Sequence, residues 1–287
     1  MLDLILSVLC SSLIFVVFKL FDTYKVQTLF AIVTNYVVAC VSGIVYNPNP
    51  YNISELPSEK WFYGTVGLGI LFIVIFNVMA KSSQINGVGV TSVATKMSFV
   101  IPVIFAVFYY KDVLNTWQII GVLLAIGAVY LTSLKKQGLQ LKNGALWLPF
   151  VVFLGSGIID TAIKFFQEDY LTDSEFAVFS STVFGSAAMT GFIYIGVNSF
   201  KKPLKLNFRN ILGGIALGIP NYFSIFFLLR ALNSENLNTT SVFTINNVAI
   251  VLFSTLLGIL LFKEKLILNN WLGVLLSVLS ILMVALL

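Results

Sequence analysis

Residues 86–111 read NGVGVTSVATKMSFVIPVIFAVFYYK, and this stretch decides the fold. It is long enough to cross a lipid bilayer as a helix, which takes about 20 mostly apolar residues. Yet it carries Lys96 near its middle. Inserting a cation at mid-depth costs about 2.5–3.5 kcal/mol on the most lenient scale. We therefore expect Lys96 to face other protein or a water-filled cavity.

The same stretch occurs a second time in the chain. Adding 149 to its numbering leads to a segment that keeps a polar stripe on one helical face. The matched residues are Thr91, Ser92, Val93, Thr95 and Ser98 with Thr240, Ser241, Val242, Thr244 and Asn247. At an offset of 152, Lys111 and Asp112 correspond to Lys263 and Glu264. The chain is thus predicted to be a duplication, with its function at this pair of helices.

The composition places the whole chain in a membrane. It is 58% hydrophobic and only 10% charged, which is far outside the range of soluble domains. Apolar runs long enough to span a bilayer predict ten helices. These are Leu2 to Leu20, Leu29 to Tyr46, Trp61 to Ala80, Val88 to Tyr109, Trp117 to Ser133, Ala145 to Phe166, Phe176 to Val197, Ile211 to Leu229, Leu237 to Phe262, and Trp271 to Leu287. The predicted fold class is an all-α integral membrane protein.

The duplication divides these ten transmembrane helices into two repeats of five, residues 1–138 and 139–287. Because each repeat has an odd number of spans, the second must enter the membrane from the side opposite to the first. We therefore predict two inverted five-helix repeats related by an axis in the membrane plane.

Charge and residue usage narrow the function classes. The chain has no histidine, which removes the commonest general base and metal ligand, so we expect neither a metal site nor a cofactor. Its net charge of +5 is spread over short loops, so nothing supports nucleic acid binding. The loops on one predicted side carry twelve cations and those on the other carry three. The positive-inside rule then places both termini outside the cytoplasm.

The end of each repeat carries a resemblance to a known family. FYYKDVLNTWQIIGVLLAIGAVYL and its copy LLFKEKLILNNWLGVLLSVLSILMVALL each place an acid after one helix and a glycine within the next, and lysines close the first and sixth helices. In these features the chain resembles the ten-helix members of the drug/metabolite transporter superfamily, with the EamA-like domain occurring twice. The resemblance implies a transporter that moves small metabolites by alternating access through a central cavity between inverted halves. It also implies cytoplasmic termini, so the orientation stays open.

Lys96 and Asp160 are the charges that the sequence places deepest in apolar runs. Lys96 can be a substrate contact, since a fixed positive charge in a low-dielectric cavity selects a carboxylate or phosphate. Alternatively it forms a structural ion pair, for which Asp160 is the obvious partner.

Asp160 has two readings of its own. It lies four residues before Lys164, the favourable order for a same-helix ion pair. It can instead be the proton carrier of a coupled cycle, because burial favours the protonated form of a carboxyl group. Asp160 and Lys164 are therefore the candidate ion-coupling residues.

The remaining candidates are polar residues without charge. Such side chains in membrane helices either line a cavity or bond to their own backbone or to a neighbouring helix. Asn221 follows Pro220, which frees a carbonyl that the asparagine could satisfy, or the asparagine could bind a ligand. The candidate set is Thr91, Thr95, Ser98, Thr240, Thr244, Asn246, Asn247 and Asn221.

The sequence favours a secondary active transporter of a small solute, such as an amino acid, an organic anion or another zwitterion. A flippase for a lipid-linked precursor is the alternative, and an intramembrane enzyme is remote without histidine. The chain lacks a G-x-x-x-x-G-K-[ST] motif, so an ion gradient or counter-solute is the expected energy source. The expected partners are the substrate, the lipid bilayer and a coupling ion. Small residues permit a homodimer, and the expected location is a bacterial inner membrane.

Overall fold

The computed structural model describes residues 1–46, 53–134, 147–172, 175–199, 207–232 and 239–286. These residues are helical apart from short connections, and ten helices are long and apolar enough to cross a membrane. The fold class and the number of spans are thereby confirmed. The helices are α1 Leu2–Thr23, α2 Thr28–Val45, α3 Phe62–Ile85, α4 Val88–Met97, α5 Val100–Tyr109, α6 Thr116–Ser133, α7 Trp147–Asp169, α8 Phe176–Ser199, α9 Phe208–Leu232, α10 Thr239–Phe262 and α11 Leu268–Leu286, and a short 3-10 helix covers Ile53–Ser58.

Most predicted helix ends agree with the observed ones within a few residues. The largest difference among described residues is at α3, which continues to Ile85 where the prediction ended at Ala80. The predicted starts at Ala145 and Leu237, and the predicted repeat boundary at 138 and 139, lie outside the described residues.

The fourth span is interrupted at Ser98 and Phe99, which separate α4 from α5. Pro102 explains the position of the break, because proline has no N–H and its ring crowds the carbonyl four residues earlier. That carbonyl belongs to Ser98, and it accepts the N–H of Ile101 at 2.9 Å instead. The interruption therefore falls directly beside Lys96.

Much of the helix pairing is symmetric under exchange of the first half, α1 to α6, and the second half, α7 to α11, although the pair of α1 and α3 has no counterpart of similar extent between the described residues of α7 and α9. Three pairings map onto themselves: α6 with α11, α2 with α8, and α4 with α10. Others occur as matched partners, such as α2 with α9 and α8 with α3, or α1 with α10 and α7 with α4 and α5. The two halves thus pack on each other through equivalent helices. Their inverted orientation in the membrane stays a prediction.

The corner after the fourth and ninth spans has the same backbone in both halves. Lys111 and Lys263 have positive φ angles of 63° and 53°. The next N–H reaches back into the preceding helix in each case, from Asp112 to Ala106 O at 3.3 Å and from Glu264 to Gly258 O at 3.2 Å. The sequence offset of 152 therefore corresponds to a repeated local structure.

Helix α4 lies at the centre of the bundle. It packs against α1, α3, α6, α7, α10 and α11, and every residue from Val88 to Ala94 is buried. A helix surrounded in this way has no face left for lipid. Any part of α4 that remains accessible must open into space inside the protein.

Candidate functional site

Lys96 lies in the last turn of α4 and is half-buried, although the helix around it is enclosed. Ser92, one turn earlier on the same face, accepts a hydrogen bond from Ser254 of α10. The Lys96 stem therefore leaves α4 on the side that faces α10. Because no lipid reaches this helix, the accessible part of Lys96 borders an internal space.

Asp160 is exposed, yet it does not lie on the outer face of α7. The outer face is an exposed apolar stripe that includes Leu154 and Ile158. At 100° per residue, Asp160 points about 120° away from Leu154. It lies instead one turn beyond Ser156 and two turns beyond Phe153, both of which are buried. The accessible surface of Asp160 therefore also opens inside the bundle.

The break between α4 and α5 brings these two charges together. Ser98 Oγ lies 3.2 Å from Asp160 Oδ2 and donates a hydrogen bond to it. Lys96 and Asp160 are close enough to act on each other electrostatically. In the described part of the chain, however, no salt bridge within 4.0 Å joins them. The direct ion pair that the sequence allowed is not formed.

Lys164 does not pair with Asp160 either. Its ammonium lies over the ring of Tyr110, 5.9 Å from the ring centroid, at the far end of α5. A cation at this distance from an aromatic face is attracted by the ring electrons. The structure thus separates the two residues that the sequence grouped as ion-coupling.

The predicted polar stripe of α4 divides into two parts. Thr91 is fully buried and donates to Gly87 O at 2.9 Å, with Ser82 Oγ at 2.8 Å. Thr95 donates to Thr91 O at 2.9 Å. Thr91 and Thr95 make no hydrogen bond with Asp160 among the described residues, whereas the Ser98 hydroxyl lies between Thr95 O at 2.5 Å and Asp160 Oδ2 at 3.2 Å. The geometry therefore brings only Ser98, the C-terminal member of the stripe, to the charged residues.

The asparagines of α10 lie near the level of Lys96. Helices α4 and α10 run antiparallel, since Ser92 meets Ser254 and Val88 approaches Gly258. Lys96 is thus level with residue 250, and Asn247 lies about 5 Å further along the axis. Asn247 precedes Ser254 by two turns, so it shares the face of α10 that looks toward α4.

Asn246 is buried to 2% exposure, and none of the described residues donates a hydrogen bond to its Oδ1. Asn247 is half-buried and Thr244 is buried. The Thr240 side chain lies outside the described residues, although its backbone begins α10. An amide oxygen without a partner in the interior is costly, so this atom is free to accept a hydrogen bond from a water or a solute that reaches it.

Asn221 lies elsewhere in the bundle. Its Nδ2 donates to Oδ1 of Asn35 at 3.1 Å, and both side chains are buried. Helix α9, which continues through Pro220 without interruption, packs on α1 and α2. The structure therefore places Asn221 in a buried amide pair between the halves and not among the residues around Lys96.

One group near the site was not selected as functional from the sequence. The Glu264 carboxylate accepts the N–H of Val88 at 2.9 Å, at the first turn of α4. Burial raises the pKa of this carboxyl, and the Val88 N–H and the charge of Lys19 partly oppose that rise. The repeat at an offset of 152 did mark Glu264, but the repeat says nothing about the distant helix that it contacts.

Comparisons with known proteins agree with this architecture. A model of the EamA-like transporter family matches residues 1–134 and again residues 142–286. An uncharacterized protein of Haemophilus influenzae is 30% identical over 289 residues, which span 97% of this chain and 96% of that protein. A solved crystal structure with 15% identity superposes with a TM-score of 0.56 over 98% of this chain and 97% of that chain. At that identity the solved structure supports the fold alone.

Proposed function

The chain belongs to the EamA-like transporter family, and on that premise we propose that it is a secondary active transporter of a small anionic or zwitterionic solute. The solute binds between the two halves and crosses the membrane by alternating access. The observation that carries the proposal is the pair of Lys96 and Asp160, two opposite charges that border internal space without pairing with each other.

The energetics of these charges favour a bound solute. A charge removed from bulk water needs a partner, and a pair held apart leaves each group incompletely compensated. A small zwitterion supplies both partners at once, with its carboxylate near Lys96 and its ammonium near Asp160. An organic anion supplies the first partner only. The unpartnered Oδ1 of Asn246 and the amide of Asn247 add hydrogen-bonding groups on the α10 side.

The energy source that we propose is an ion gradient or solute exchange. Asp160 is the group suited to carry a proton, because it is accessible from inside and its carboxylate accepts a hydrogen bond from Ser98 Oγ. Lys164, which stacks on Tyr110, is the less suited of the two predicted coupling residues. No covalent step is required, so the protein acts as a transporter and not as an enzyme.

The family and the ten apolar helices make this a multi-pass membrane protein. The bacterial inner membrane is the location that we propose, because it provides both the metabolites and the ion gradients that such a transporter uses.

The test is exchange transport in proteoliposomes. Vesicles loaded with unlabelled solute are given radiolabelled neutral amino acids, dicarboxylates or sugar phosphates, and internal label is counted over time. We expect one of these classes to accumulate above the level of empty vesicles. Lys96→Gln should lower that uptake about tenfold or more, which is the value of one lost hydrogen bond between charged groups.

Lys81→Gln is the matched control, because Lys81 is an exposed lysine near the end of α3. It should transport at the wild-type rate. If no class exchanges, while a fluorescent lipid reporter moves to the outer leaflet, the transporter proposal is wrong and the flippase alternative is supported. If Lys96→Gln transports normally, Lys96 is not a solute contact.

A further inference from the structure

One end of the bundle carries a cluster of hydrogen-bonded groups that joins both halves. Its members are Lys19 of α1, Gln84 of α3, Val88 of α4, Gly258 of α10 and Glu264 of the α10–α11 corner. Lys19 Nζ donates to Gln84 O at 2.7 Å, and Gln84 Nε2 donates to Phe18 O at 3.1 Å. The Glu264 carboxylate accepts from Val88 N at 2.9 Å, so a residue of the second half holds a helix of the first.

A carboxylate such as that of Glu264 is stabilised at the N-terminus of a helix such as α4. The first N–H groups of a helix have no partner within the helix, and its N-terminus carries a partial positive charge. A carboxylate at this position accepts a hydrogen bond from one of these N–H groups and is attracted by the partial positive charge. The amide of Gly89 and the charge of Lys19 act on the same carboxylate. The first turn of α4 thus depends on an acid that lies 176 residues away in the sequence.

Two glycines make room for this carboxylate. Gly87 has a φ of 108°, and a Cβ there would lie 2.7 Å from Glu264 Oε2. A Cβ on Gly258 would lie 2.5 Å from the same oxygen. These distances are shorter than real Cβ contacts, so a side chain at either position would displace the carboxylate.

The equivalent corner of the first half lacks this arrangement. Asp112 occupies the position of Glu264, and its acid is one methylene shorter and exposed. Ala106 occupies the position of Gly258, so a methyl group stands where the second half leaves space. The two ends of the bundle are therefore closed differently, in spite of the repeated backbone.

We propose that Glu264 is a gate residue: its carboxylate holds the N-terminus of α4 against the α10–α11 corner while this end is closed, and it releases α4 when this end opens. The proposal rests on the alternating-access function above. Opening this end must separate the second half from α4, and the bond between Glu264 and Val88 crosses that separation. Lys96 lies two turns further along the same helix, so the gate contact also positions the proposed solute site.

Gly258→Ala tests the gate while leaving Glu264 in place. It introduces the residue that the first half carries, and alanine favours the helix over glycine, so α10 itself is not weakened. The reporter is Ser92→Cys in a background with Cys10→Ala and Cys40→Ala. Ser92 lies one helical turn after Val88 and is fully buried. A water-soluble maleimide therefore reaches Ser92→Cys only when this end opens. Labelling is measured on the purified protein in detergent.

We expect Gly258→Ala to label about tenfold faster than the reporter alone, the population shift for about 1.4 kcal/mol. Gly67→Ala in α3 is the matched control, because a Cβ there meets nothing within 4 Å, and it should not change the rate. An unchanged rate in Gly258→Ala would overturn the proposal. If Gly258→Ala does not fold, Glu264→Asp, which shortens the acid and keeps its charge, is judged by the same rate.

This readout is independent of transport. Faster labelling together with failed solute exchange would support the gate and count against the proposed function. Normal solute exchange with unchanged labelling would support the proposed function and overturn the gate. The two proposals can therefore fail separately.

Discussion

Removing the charges of Lys96 and Asp160 one at a time and together tests whether they face a common internal space. The perturbations are Lys96→Met, Asp160→Asn and the double variant. The structure places the two groups beyond 4.0 Å but within electrostatic reach. At an effective dielectric constant of about 20, Coulomb's law gives about 4 kcal/mol for two unit charges about 4 Å apart, and this is the upper limit for a pair that lies farther apart. Water in the space reduces this value, so we expect a coupling energy of about 1–3 kcal/mol.

The assay is unfolding of the purified protein in detergent, followed for all four proteins under one condition. The double variant should be more stable than the sum of the single effects predicts, by the coupling energy. Each single change leaves one interior charge without its opposite, and the double change leaves none. The control cycle combines Asp160→Asn with Lys81→Met, whose lysine is exposed near the end of α3. Additivity within about 0.5 kcal/mol in the Lys96 cycle would refute the shared space.

Two further predictions concern the helix contacts between the halves. Because burial raises the pKa of Glu264 in the closed state and release into water restores its ordinary value, protons bind more tightly to the closed state. Lowering the pH from 7 toward 5 should therefore favour the closed state. After division by the rate of a free thiol at the same pH, which corrects for the thiolate fraction, labelling of Ser92→Cys should slow in the protein with Glu264 and not in Glu264→Gln. Asn221→Leu removes the donor that satisfies the buried Oδ1 of Asn35 and should cost about 1–3 kcal/mol in unfolding. Adding Asn35→Leu should recover part of that loss, and a double variant less stable than Asn221→Leu would contradict this account.

The sequence predicted the candidate site unevenly. Lys96 and Asp160 stood out because a charge inside an apolar run is visible without any structure, and the structure brings them together. Asn221 was included on the same reasoning, but its amide is bonded to Asn35, which is 186 residues away. Nothing in the local pattern distinguishes an amide that pairs with another amide from one that borders internal space. The difference depends on which helix packs beside it.

The break at Ser98 and the contact of Glu264 are two further features that the local sequence pattern does not predict. Pro102 marks a weak point in the fourth span, but only the structure shows that the resulting break brings Ser98 to Asp160. Glu264 was visible as one half of a repeated corner, whereas its bond to Val88 requires α4 and α10 to pack closely. Contacts of about 3 Å are fixed by how helices cross, and helix crossing is not encoded in the local run of residues.

The order of residues along the chain is sufficient for the membrane class and the ten spans, and it predicts the duplication. These follow from the length and composition of apolar runs and from repeated residues, which are properties of neighbours along the chain. The packing of the helices was needed to show that α4 is enclosed, that Lys96 and Asp160 lie near each other without a direct ion pair, and that Glu264 bonds the first turn of α4. The physical reason is that burial and pairing of polar groups are set by the packing of helices from both halves, which no single segment contains.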